Sequence, residues 1–272
     1  MLTLNFDRDA DDHMATATGE SSSARNTIRG TVRGLATRAN PAFAVGVVAV
    51  AIVAFAYTQT AASVQVHTYV HVMAGVLWTG IDLFIGGVLG PVTGGLDEEE
   101  SAAVFQRLTP KTSFLLPSLS FLAIASGLTL AQRIGLLPNA GPWFALFTAA
   151  NVIPILLLLG WRLNAWSDRR WQAAFVVGTV GSLAWVALTV GQLEMIRPAV
   201  LAALAIVTVL SVQGFGFLMP GEVRMYLEMT SAEPDPSIIS AVGQRNAKFG
   251  GIQGLFQLVL VAIMVSLRYG GF

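Results

Sequence analysis

The residues of this chain best suited to chemistry lie on one apolar stretch, HTYVHVMAGVLWTGIDLFIGGVLGP from His67 to Pro91, which carries His67, His71, Trp78 and Asp82. At about 100° per residue these four and Gly75 fall within a sector of about 80°, one face of a helix. Two imidazoles four residues apart on one helix can ligate one ion. An ionisable group in hydrocarbon is costly and faces protein or a water-filled space rather than lipid. Two chemistries follow: ligation of a metal ion by the histidines, and proton handling by Asp82. At about 1.5 Å rise per residue Asp82 stands roughly 22 Å beyond His67, so the two belong to different sites. A structural reading stands beside each. His67 can be an interfacial hydrogen-bonding residue, His71 a packing histidine, and Asp82 a partner of Arg107, Lys111, Arg245 or Lys248 in an ion pair that locks the helix. Gly75 on the same face would let a neighbouring helix or a flat ligand approach closely.

The elements that must position these residues are membrane helices. Of 272 residues 54% are hydrophobic and 12% charged, against roughly 25% charged in a soluble domain. The bilayer is therefore the solvent for most of the chain. Stretches 42–60, 67–91, 112–133, 142–163, 171–192, 197–219 and 249–269 are each long enough to span it as helices. None shows the alternation of a barrel strand. The expected fold is an all-α polytopic bundle of seven spans over residues 41–272, preceded by a basic tail of residues 1–40. A formal net charge of zero argues against a nucleic-acid partner, and the absence of cysteine removes thiolate metal sites, iron–sulfur clusters and covalently attached c-type haem.

Thirteen of the sixteen Lys and Arg fall in the tail and in the second, fourth and sixth loops, leaving Arg133, Arg197 and Arg268 on the other side. That asymmetry places the N-terminus in the cytoplasm and the C-terminus outside, in the plasma membrane of a cell. Residues 1–23 read as disordered, and Arg25 to Arg38 either as a short surface helix with Ile28, Val32 and Leu35 on one face or as a basic tail that merely enforces orientation. Asp97-Glu98-Glu99-Glu100 opens a helix reaching about Leu108 in the second loop. Glu222 to Met229 forms an amphipathic turn or two in the sixth loop, and Ser237 caps the helix entering the last span. Both loops read as connectors.

The pattern His71-x6-Trp78-x-Gly80-x-Asp82-x-Phe84 resembles a helix of CopD-type copper-resistance proteins, of the membrane portion of urate hydroxylases and of HemJ-type protoporphyrinogen oxidases. The resemblance covers under twenty residues. Glu222-Val-Arg-Met-Tyr-Leu-Glu-Met to Pro234-Asp235 and Gln253-Gly-Leu-Phe-Gln257 are similar to an uncharacterised prokaryotic family of polytopic membrane proteins. The first likeness implies haem b or copper at His71, with Trp78 packing nearby. Asp82 departs from it, standing where the urate-hydroxylase helix carries a small polar residue. His67 and His71 share one face and cannot both be axial to one haem, so a haem would need Met195, an open position or a second subunit. For copper, His67, His71, Glu194 and Met195 form a conceivable set near the outer face.

Other polar groups sit in the spans. Asn151 lies mid-helix before Pro154, and Gln253 and Gln257 share a face in the last span with Gly250 and Gly254, as in a helix-packing seam with interhelical hydrogen bonds. Three functions remain open on sequence. One is electron transfer or metal handling at His71, with a membrane or redox protein as partner. Another is proton-linked transport or conduction through Asp82, Asn151 and Gln257. The third is a non-catalytic assembly subunit, and oligomerisation is compatible with all three.

Overall fold

The computed structural model describes residues 28–270, so the expected disorder of residues 1–23 lies outside it. The described residues are helical and contain no strand. Helix α1, Ile28–Ala39, is followed by seven helices long and apolar enough to cross a membrane: Pro41–Thr60, Val64–Gly94, Glu98–Arg133, Ala140–Arg162, Arg169–Gln192, Pro198–Met229 and Pro236–Tyr269. These are the first to seventh spans. The protein is a multi-pass integral membrane protein, and apolar side chains as exposed as Val177 (71%) and Leu188 (81%) meet lipid.

Local chemistry sets most span starts. Asn40, at φ 79°, accepts a bond from the Ala42 amide at 3.0 Å, with Pro41 opening the helix. Asp97 accepts from the Glu100 amide at 2.8 Å and is followed by three glutamates at the positive end of the helix dipole. Asp168 accepts from the Arg170 amide at 2.8 Å. The cap of the seventh span is Asp235, which takes both the amide and hydroxyl of Ser237, rather than Ser237 itself. Those two bonds hold the exposed Asp235 carboxyl below the usual carboxylate range.

The expected loop helices are not separate. The acidic helix from Glu98 runs unbroken through Pro110 and Pro117 to Arg133, so the third span is 36 residues long. Glu222–Met229 likewise continues the sixth span through a π-helical turn, Gly214–Leu218, because the chain after Pro220 stays helical. A second π-turn, Ile85–Leu89, interrupts the second span. The arginine-rich loops gather at one end, called here the basic end, and Arg133, Arg197 and Arg268 at the opposite end.

The third span is the hub. It packs against the first, second and seventh spans, against the Met219–Met229 segment and against α1. Small residues allow this: Ala51, Ala74 and Ala123 meet Trp78, Leu122 and Leu210 at mid-bundle. At the basic end Ala102 and Phe105 pack on Met225, Met229, Ile239 and Val242. Helix α1 lies on this end, with Leu35 buried and the Gly34 backbone directly against the Tyr226 hydroxyl. The fourth and fifth spans form a pair held to the rest mainly through the sixth, and the third and fourth, though consecutive, do not pack along each other.

The second and seventh spans touch backbone to backbone. A Cβ at Gly86 would collide with Gly251, and one at Gly254 would fall 2.8 Å from Leu83 Cδ2. A Cβ at Gly75 would meet nothing within 4 Å, so the close approach expected there occurs at Gly86 instead. Gly86→Ala should therefore lower stability by about 1–3 kcal/mol. Gly75→Ala should leave it unchanged or raise it by up to about 1 kcal/mol through helix propensity. Thermal unfolding in detergent would separate the two, and equal melting temperatures would disprove the seam.

Candidate functional site

Asp82 is 1% exposed, one helical turn after Trp78 and just before the Ile85–Leu89 π-turn. Its Oδ2 accepts a bond from Gln257 Nε2 of the seventh span at 2.9 Å, and the Trp78 side chain lies beside the same carboxylate. None of Arg107, Lys111, Arg245 and Lys248 pairs with it, so the expected ion pair is replaced by neutral donors. The reason is positional: the seventh span presents its buried glutamine to Asp82, while its cations lie further toward the basic end. Gln253, on the same face, donates to the Leu210 carbonyl of the sixth span at 3.5 Å. The last span's glutamines thus bond to two different helices.

A second carboxylate is present that sequence reading placed in a connector. Glu222 follows the Gly214–Leu218 π-turn and accepts from Ser113 Oγ at 3.2 Å and Thr112 Oγ1 at 3.4 Å, with the Thr109 hydroxyl and Asn246 amide beside it. All four are neutral. Pro220 reads as a span end in the sequence, yet it occupies the first turn of Met219–Met229, and the continuous helix carries Glu222 inward. The available signal was Gly221, where only a residue without Cβ lets the Asn246 side chain close on the helix.

Asp82 and Glu222 line one cavity of about 1550 Å³ between the hub spans and the fourth and fifth. It opens at the basic end, where the exposed Arg29, Asp168 and Arg170 stand on its rim. Toward the opposite end it reaches no further than Trp78, Ile124, Leu159, Ala174, Leu210 and Gln253, one residue from each of six spans. Beyond these, Leu137, Ala140, Trp143, Ile196 and Val200 form a packed plug between the ends of the fourth and sixth spans. The cavity is therefore one-sided. Among the described residues five charged ones line it, three on the rim and Asp82 and Glu222 inside. In a low-dielectric wall a carboxylate with only neutral partners needs its charge offset by a proton or a cation.

The histidines lie elsewhere and bind the third span. His67, 1% exposed, bonds through Nε2 to the Ser126 carbonyl at 3.0 Å, and His71 through Nδ1 to the Ala123 carbonyl at 2.9 Å. Carbonyls only accept, so His67 is the Nε2–H tautomer and His71 the Nδ1–H tautomer. Gly127 makes room for His71, whose Cε1 lies 2.6 Å from where a Cβ would be. His67 also lines a cleft of about 270 Å³ with Thr58, Gln59, Thr129, Gln132 and Arg133. Glu194 is bonded to Asn139 Nδ2 at 2.9 Å, and Met195 is 83% exposed. The described residues contain no group of three or more His, Asp or Glu placed to hold a metal ion. His67 and His71 come together, but Glu194 does not join them, and the large cavity's wall includes neither histidine. The packing thus adds no ligand to the haem or copper expectation. Asn151 bonds Phe147 of its own helix at 2.7 Å and does not reach Asp82 or Gln257.

Because no cation depends on Asp82, Asp82→Asn should stay within about 1 kcal/mol of wild-type stability, whereas removing one partner of a buried ion pair costs about 3–5 kcal/mol. Chemical or thermal denaturation in detergent decides between these outcomes. Comparison with protein-family models, curated proteins and solved structures finds no match to this chain.

Proposed function

We propose that this protein is a proton-linked membrane carrier in which Asp82 and Glu222 exchange protons with a solute in the one-sided cavity. The observation that carries the reading is the pair of interior carboxylates, each with neutral partners only, on the wall of a cavity open at one end and plugged at the other. A channel would need a continuous path, and the packed layer of Trp143, Ile196 and Val200 interrupts it. A carrier needs a one-sided cavity and elements able to shift. The two π-turns supply candidates for the shift, since each sits within one turn of a cavity carboxylate and π-bulges are frequent at functional sites.

The positive-inside asymmetry makes the basic end cytoplasmic, so the cavity faces inward in the plasma membrane. Alternating access would then require the plug at the opposite end to loosen while the rim around α1 closes. Haem or copper at His71, in the manner of the CopD-type and HemJ-type proteins the second span resembles, is a proposal without a supporting ligand set here, and no step of the carrier reading passes through it.

Proteoliposomes loaded with a pH-sensitive dye and given a proton gradient and a potassium diffusion potential test the reading. Once organic solutes are added outside, wild-type protein should collapse the gradient faster than empty vesicles, and Asp82→Asn with Glu222→Gln should return the rate to that of empty vesicles. Equal rates for wild type, the double variant and protein-free vesicles would contradict proton linkage.

A further inference from the structure

The interior of the cavity has the chemistry of an acceptor. Besides the two carboxylates, Gln253 and Asn246 line the cavity; their carbonyl oxygens are buried without a hydrogen-bond partner, on side chains 2% and 8% exposed. Gln253 Nε2 donates to the Leu210 carbonyl and Asn246 Nδ2 to the Leu218 carbonyl, with Glu222 also beside the Asn246 amide. Among the described residues the interior wall carries no positive charge, and its one unpaired buried N–H donor is Trp171 Nε1. The only cations lining the cavity among the described residues, Arg29 and Arg170, stand at its mouth with Asp168. A buried acceptor left unmatched costs about 1–3 kcal/mol, so the wall is complementary to a ligand that brings N–H donors and a positive charge.

The rest of the wall is apolar and aromatic, with Trp78, Phe105, Phe114, Phe215 and Trp171 among its residues. Aromatic faces favour an organic cation and an apolar body. A bare metal ion fits poorly, because no three carboxylate or imidazole groups converge among the described residues and the volume exceeds any coordination shell. An anion would meet two carboxylates and two carbonyl oxygens.

We propose that the cavity binds amphipathic amines in their ammonium form, with the Asp82 and Glu222 carboxylates as counter-ions. This deepens the carrier reading and rests on it for its meaning in transport, while the binding is testable alone. Binding exchanges charge one for one: the ammonium enters, and a proton leaves the carboxyl it pairs with. Protons and ammonium therefore compete, and raising the pH removes the competitor. The groups facing Asp82 are Trp78 and Gln257, and those facing Glu222 are Thr109, Thr112, Ser113 and Asn246. None of these titrates.

Calorimetric titration of the full chain in a non-ionic detergent with three ligands of one shape tests this: 1-naphthylmethylammonium, 1-naphthylmethanol and 1-naphthylacetate. Saturable binding is expected for the ammonium alone, tighter at higher pH while the amine remains charged, and weaker by about tenfold or more in Asp82→Asn or Glu222→Gln. The comparison of ligands and the pH series use wild-type protein, so they stand if a variant fails to fold. Equal binding of all three, no saturable binding, or an ammonium affinity indifferent to pH would overturn the proposal. Ammonium binding without carboxylate-dependent proton flux would sink the carrier and leave the site. Flux without ammonium binding would sink this ligand class and leave the carrier.

Discussion

A carboxylate inside hydrocarbon can be kept only where another element meets it, and Asp82 is met by the seventh span. Gly86, Gly251 and Gly254 let the second and seventh spans approach at backbone distance, which brings Gln257 within hydrogen-bonding reach of Asp82. The hydrogen bond and the close packing depend on each other. Without the glycines the amide could not reach the carboxylate, and without the amide the contact would bury a bare acid. Once these spans are fixed, the third is fixed too, because His67 and His71 reach from the second span to its carbonyls at Ser126 and Ala123. The three helices make a rigid unit, and the fourth and fifth spans stand apart from it. The cavity is the space this division leaves.

That origin explains the mixture of rigid and adaptable features around the cavity. Its floor at mid-bundle is the well-packed layer of Ala74, Trp78, Leu122 and Leu210. Its two interior acids sit beside π-turns, where one residue more than an α-helix requires is accommodated. Such turns can relax toward regular helix with a small rotation of everything beyond them. Rotation on either side would re-aim Asp82 or Glu222 while leaving the glycine seam intact.

Much of this was legible in the sequence. The seven apolar runs marked the seven spans, and helical spacing placed His67, Trp78 and Asp82 on what became the buried face of the second span. The partner of Asp82 was not legible, because choosing among Arg245, Lys248 and Gln257 requires the register between two helices distant in sequence. Glu222 was hidden by a local rule. Proline commonly ends a helix, and after Pro220 the amphipathic pattern of Val223, Met225 and Met229 fits a surface segment as well as the continuation of a span. The π-turn that allows the continuation has no sequence signature of its own. Spacing put the two histidines on one face, yet it could not say that their ring N–H groups are taken by backbone carbonyls of the third span.

The central claim is that Asp82 and Glu222 are reachable carboxyls whose charge is offset by an exchangeable proton. Carbodiimides react with carboxyls that hold a proton, and mass spectrometry locates the adducts. In native membranes a lipid-soluble carbodiimide should modify Asp82 and Glu222 in preference to the solvent-exposed Glu98 and Glu99, with modification falling as pH rises. If both residues remain unmodified across the pH range while the surface acids react, the carboxyls are sealed structural groups and the account is wrong.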